Sequence, residues 1–294
     1  MAMGQTELRP GCLLVFGLGY CGTAVARGAA AEGWTVRGTR RVRDGAGSGA
    51  LAFDAAAPAL ADSTHLLATA PPDASGDPVL ARYAAAIAAA PRLRWIGYLS
   101  STGVYGDRAG GWVDEDTPPA PSSARARRRL AAEQQWRAFA DRVPVDIFRV
   151  AGIYGPGRSP FEAIRAGIAR RVDKPGHSFG RIHRDDIAAA VLAAMRQARP
   201  PGVRILNLAD DLPAENAAVV AEAARLLGAA PPPLIPFAEA LAGMSEMGRS
   251  FWAEHRRVAS AKTKAALGIA WRYPTYREGL RAILLEQPVQ GSPQ

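Results

Sequence analysis

A short apolar run, Leu13-Leu14-Val15-Phe16, leads straight into Gly17-Leu18-Gly19-Tyr20-Cys21-Gly22 and then into an alanine-rich helical pattern over 23–31. A Gly-x-Gly-x-x-Gly turn between a strand and a helix admits few folds, because each glycine removes a different steric obstacle. Gly17 permits the tight turn, Gly19 lets the backbone approach a diphosphate, and Gly22 lets the helix pack close to the strand. The N-terminus of that helix then presents unpaired N–H groups to an anion. The six residues alone also suit an ordinary tight turn. The flanking strand and helix supply the context of a dinucleotide site, with Leu18, Tyr20 and Cys21 as the intervening contacts.

Strand-like apolar segments recur at 35–38, 50–53, 65–68, 95–99 and 145–149, with helical segments between most of them, and 204–208 follows a helix at 187–196. Alternation of this kind builds a doubly wound parallel sheet, an α/β Rossmann-type fold. The rhythm breaks over 155–178 and again after Asp210, where proline clusters such as Pro231-Pro232-Pro233 appear. The expectation is therefore a dinucleotide-binding domain from 1–154 plus 178–210. A smaller substrate lobe, 155–177 plus 211–294, would sit over the carboxyl ends of the strands, where open α/β sheets bind ligands. Behind Pro274, apolar residues at helical spacing to Leu285 predict a helix that closes this lobe.

A net charge of +9 suits an anionic partner, but only three of the 36 basic side chains are lysine and no basic run exceeds Arg127-Arg128-Arg129. Scattered charge of this kind fits a phosphate-bearing small molecule rather than nucleic acid. Cys12 and Cys21 flank the first strand and its turn, a placement that suits neither a disulfide nor a metal set. With no apolar signal core at the start and no apolar stretch of about 20 residues, the expectation is a cytoplasmic protein without a membrane partner.

The second strand ends Arg37-Gly38-Thr39-Arg40-Arg41, with no carboxylate before Asp44. An acidic residue there binds the ribose 2′-hydroxyl of NAD, whereas arginine accommodates the 2′-phosphate of NADP. Arg40 and Arg41 thus favour NADP over NAD, unless they are only solvated loop charges. Asp54 is placed to accept from the adenine amino group, or else serves as a turn aspartate. Ala70, just past the fourth strand, completes the cofactor contacts.

Leu99-Ser100-Ser101-Thr102-Gly103-Val104-Tyr105-Gly106-Asp107 resembles the extended short-chain dehydrogenase/reductase family, which includes nucleotide-sugar epimerases and dehydratases. Three further stretches agree in order: Asp114-Glu115-Asp116-Thr117-Pro118-Pro119, the segment from Arg149 to Arg158, and Arg181-Ile182-His183-Arg184-Asp185-Asp186-Ile187-Ala188. The resemblance implies a catalytic hydroxyl at Ser101, with Thr102 beside it. It also implies a Tyr-x-x-x-Lys helix over 123–140, whose two positions are here Arg125 and Arg129. No tyrosine lies between Tyr105 and Tyr154, and none in the chain has lysine four residues later. The usual acid/base couple is absent, and arginine cannot exchange protons near neutrality. The Asp-Glu pair that the family's dehydratases carry after the catalytic hydroxyl is replaced by Thr102 and Gly103, which disfavours sugar dehydration. The chain resembles the atypical, epimerase-like branch that lacks the Tyr-Lys pair.

Two readings follow. In the first, the protein is an NADP-dependent oxidoreductase or epimerase-like enzyme acting on a small, anionic or sugar-nucleotide-like carbonyl or hydroxyl compound. Ser101 orients the substrate oxygen, Arg125 or Arg129 stabilises negative charge, and Tyr105, Tyr154 and Thr102 are the conceivable proton donors. In the second, it is a noncatalytic NADP-binding sensor or regulator. Asp185 and Asp186 read as helix caps, His183 as structural, and His177 as a substrate contact; Trp112, Trp252 and Trp271 read as packing residues. A homodimer is expected by analogy with folds of this size.

Overall fold

The computed structural model describes residues 10–41 and 49–286. Seven parallel strands form the central sheet: β1 (Cys12–Phe16), β2 (Thr35–Arg40), β3 (Leu51–Ala52), β4 (His65–Ala68), β5 (Trp95–Ser101), β6 (Pro144–Val150) and β7 (Gly202–Leu208). Their order is β7-β6-β5-β4-β1-β2-β3. Strand order therefore reverses at β1, which pairs with β2 on one side (Leu13↔Val36) and β4 on the other (Leu14↔Leu66). In open α/β sheets the ligand crevice lies at such a switch point.

The reason β1 reads as an unbroken apolar run is that both faces of the sheet are covered, so Leu13, Leu14, Val15 and Phe16 are all fully buried. On one face lie α1 (Tyr20–Ala31) and the long helix Arg184–Arg196; on the other lie α2 (Pro78–Ala89) and α3 (Ala124–Arg137). Arg184–Arg196 is α4, Asn216–Leu226 is α5 and the closing helix Tyr276–Glu286 is α6.

Several boundaries differ from expectation. Helix α1 begins at Tyr20 because Gly19, in extended conformation, serves as its N-cap. Strand β2 runs two residues further than expected, carrying Arg40 into the sheet. Asp185 and Asp186 are not caps: the N-cap of α4 is His183, whose Nδ1 accepts from the Asp185 N–H at 3.2 Å. The chain turns into the helix one residue before the acidic pair, leaving both in the first turn. There Asp185 bonds Arg184 at 2.9 Å, and buried Asp186 accepts from the N–H groups of Arg272 and Tyr273 at 2.7 and 3.1 Å.

Beyond the sheet, short pairings assemble the rest. Gly152–Tyr154 pairs with Arg181–His183, Arg171–Asp173 with Leu234–Pro236, and Trp112–Val113 with Arg257–Val258. The last pairing brings the loop after β5 against a segment nearly 150 residues later. Leu267 and Trp271 then return to the main core, while α6 buries Tyr276, Leu280 and Ile283 with Tyr154 and Phe161. Trp252 is also buried, whereas Trp112 is 57% exposed beneath the Arg257 guanidinium. Among the described residues no helix is long and apolar enough to cross a membrane.

Candidate functional site

The glycine turn is held from both neighbouring strands. Gly17, at φ +105°, donates its N–H to Thr39 Oγ1 at 3.2 Å, and the Thr69 hydroxyl donates to the Gly17 carbonyl at 2.6 Å. A Cβ on Gly22 would lie 2.1 Å from that same carbonyl, so close packing of α1 on the turn requires glycine there. Gly19 is different: a Cβ there would meet nothing within 4 Å. Protein packing does not explain that glycine, but a ligand lying against the backbone does. With no side chain capping α1, the first-turn N–H groups remain for an anion. The cradle thus fits the diphosphate of a dinucleotide.

Around it, the Ala70 N–H lies 3.4 Å from the Cβ position of Gly17, so Ala70 packs directly on the turn. Arg40 is half-buried at the end of β2, with its buried Nε unpartnered, and Arg41 is exposed. Asp44 lies outside the described residues. The Asp54 side chain is 76% exposed and 3.8 Å from Arg82. Burial pushes the Cys21 thiol up to about 11, which keeps it protonated and unreactive. The Tyr20 hydroxyl donates to the Pro156 carbonyl at 3.0 Å, tying the turn to the loop after β6.

At the carboxyl end of β5 a small cavity of about 60 Å3 opens, lined by Thr102, Ser178, Phe179, Phe251, Glu254 and Arg256 among others. Ser101 Oγ accepts from the Gly103 N–H at 3.1 Å, which leaves its own proton free to donate. A Cβ on Gly103 would lie 3.4 Å from Ser101 Oγ and 3.9 Å from Arg256 Nη2, so a hydroxyl and a guanidinium converge over one glycine. Arg256 Nη1 donates to the Gly106 carbonyl at 2.9 Å and to Glu254 at 2.6 Å, while its buried Nε has no partner. Glu254 also bonds the Ser122 hydroxyl.

A profile of the NAD dependent epimerase/dehydratase family matches residues 79–209. Protein YeeZ of Escherichia coli K12 is 32% identical over 242 residues, covering 74% of this chain and 84% of YeeZ. The chain belongs to the NAD-dependent epimerase/dehydratase family. A functionally unknown conserved protein from Silicibacter pomeroyi DSS has a similar solved structure, with 46% identity, a TM-score of 0.84 and coverage of 94% of this chain and 99% of that one. The human epimerase family protein SDR39U1 (isoform 2), solved with NADPH, shares the fold at a TM-score of 0.77 and 20% identity over 94% of this chain and 100% of its own.

The chain belongs to an NAD(P)-binding family, and its glycine turn has the steric features of a diphosphate cradle. Neither Arg125 nor Arg129, one helical turn apart on α3, lines this cavity. Arg129 is buried, and its Nη1 donates to the Tyr98 hydroxyl at 3.0 Å and the Leu99 carbonyl at 2.9 Å, bracing α3 against β5. Arg125 is exposed and has no partner among the described residues. Tyr105 is fully buried, donates to Asn207 Oδ1 at 2.8 Å and lies under the Arg149 guanidinium; burial raises its pKa. Burial likewise raises the pKa of Tyr154, 3.4 Å from the Thr275 carbonyl. Neither phenol lines the cavity; Thr102 does. His177 packs its ring against Phe179, Trp252 and His255, and burial lowers its pKa to about 4. Glu254 and Arg256 carry no motif, and sequence reasoning passed over both. Behind the site, the Ser100 hydroxyl donates to Glu133 at 2.5 Å, and Arg149 holds the same carboxylate through two bonds of 3.1 and 2.8 Å.

Proposed function

We propose that this protein is an NADP-dependent oxidoreductase that interconverts a small carbonyl compound and its alcohol. The observation that carries the reading is the convergence of Ser101 Oγ and Arg256 Nη2 over Gly103, beside Thr102 at the carboxyl end of β5. Bound NADPH supplies the hydride. The Ser101 hydroxyl donates to the substrate oxygen, and Arg256, permanently charged, stabilises the negative charge that gathers on it. Arginine does not deliver the proton, so that proton comes from solvent at the cavity mouth.

NADP rather than NAD is supported by Arg40 and Arg41 at the end of β2, and the NADPH in the human fold relative accords with this. A noncatalytic sensor is not favoured, because the hydroxyl pair is retained and a guanidinium is brought to it. The test is NADPH consumption with a panel of small aldehydes and ketones. Ser101→Ala and Arg256→Ala should each lower kcat about 100-fold while NADPH binding, followed by its fluorescence, persists. No turnover across the panel by protein that binds NADPH would overturn the reading.

A further inference from the structure

We propose that the substrate of this site carries a planar aromatic ring that stacks on Phe251 while its carbonyl oxygen reaches Ser101 and Arg256. This rests on the oxidoreductase reading and specifies the substrate class.

Phe251 sits on the short helix Glu246–Trp252 and is 55% exposed, yet its ring is not splayed into solvent. It lies parallel to the buried ring of Phe179, with centroids 4.7 Å apart and planes 12° from parallel. Phe179 is fixed in turn by edge contacts with Trp252 at 4.7 Å and His177 at 4.8 Å. One face of Phe251 is thus occupied and oriented by a rigid buried cluster, and the ring remains open enough to receive a second planar group. Offset stacking is a preferred arrangement for such a pair.

Both rings line the same cavity as Thr102 and Arg256. Its wall includes Gly152 and Gly180, where a Cβ on Gly152 would lie 3.1 Å from the Gly180 carbonyl. Val258 adds apolar surface. Arg256 is the one cation among the lining residues, and it is already paired with Glu254, so the cavity lacks the charge to hold a diphosphate. Aromatic surface beside a single oxygen-binding corner matches an aryl aldehyde or ketone.

The test compares benzaldehyde with cyclohexanecarbaldehyde, which keeps ring size and carbonyl but loses the π face. Binding is measured by ligand-observed NMR on protein saturated with NADP+, where no hydride can be delivered, and turnover is measured separately with NADPH. Benzaldehyde should bind about fivefold more tightly. Phe251→Leu, which keeps apolar bulk but loses the ring stacked on Phe179, should erase the preference while leaving NADP+ affinity unchanged and lowering the melting temperature by no more than a few degrees. Equal binding of the two aldehydes, binding of neither, or a preference that survives Phe251→Leu would overturn the ring assignment. Turnover of both aldehydes alongside such a result would leave the oxidoreductase reading standing. Failure of NADP+ itself to bind would remove both.

Discussion

Glu133→Gln isolates the buried ion pair behind the site. Glu133 is fully buried, the Arg149 side chain is 2% exposed, and the two meet at 2.8 Å. Glutamine keeps the shape and can still accept from Ser100, but it leaves a guanidinium inside the protein with no counter-charge. Removing one partner of such a pair costs about 3–5 kcal/mol. The Tyr105 ring, 4.8 Å from the Arg149 guanidinium, faces that cation in parent and variant alike, so its contribution cancels. A loss of about 3–5 kcal/mol should lower the melting temperature by roughly 6–20 °C at the 2–4 °C per kcal/mol typical of large domains. Thermal unfolding followed by circular dichroism reads this directly. The double variant Glu133→Leu with Arg149→Met removes both charges and should recover most of the loss, because well-packed apolar pairs often replace buried ion pairs without penalty. A single variant that loses less than about 1 kcal/mol, or a double variant no better than the single, would refute the reasoning.

Gly19→Ala should leave the melting temperature within about 1 °C of the parent but weaken NADPH binding at least tenfold, whereas Gly22→Ala should destabilise the fold itself; calorimetry and melting curves separate the two. Arg40→Ala should weaken NADPH binding by about tenfold or more and NADH binding hardly at all, as expected for loss of one charge-assisted phosphate contact; equal losses for both coenzymes would count against the 2′-phosphate role. Asp210 is buried, and burial lifts its pKa from 3.8 to about 8 despite nearby Arg181 and the backbone N–H of Leu212. The folded state therefore holds this proton more tightly than the unfolded state, and the contribution to stability falls as pH rises from about 4 to about 8. Asp210→Asn should melt higher than the parent at pH 8 and converge with it near pH 4, the limits set by those two pKa values; parallel melting curves across that range would contradict the assignment.

The sheet and its glycine turn were legible because their causes are local. A strand buried on both faces reads as continuous apolar residues, and the three glycines answer steric demands within six positions. Strand β2 ran past its expected end because backbone pairing with β3, not residue type, decides where it stops. Ser101 could be singled out from its motif, and its hydroxyl accepts from the Gly103 N–H at the end of β5. Arg256 could not, because its approach to Gly103 depends on pairing Trp112–Val113 with Arg257–Val258, a long-range register that no short pattern records. Arg129 shows the converse. Its place on the helix was evident, but the direction of its guanidinium, toward the strand rather than a ligand, follows from the Leu99 carbonyl beneath it.

That brace makes the departure from the family's chemistry hard to undo. Restoring tyrosine at Arg125 and lysine at Arg129 would supply a proton shuttle on paper. It would also replace a forked, planar donor that spans a phenol and a main-chain oxygen with a single ammonium on a flexible stem. The lysine would have to choose between supporting the strand and greeting the ribose. A shuttle engineered into this scaffold must therefore begin by giving Tyr98 and the Leu99 carbonyl another companion.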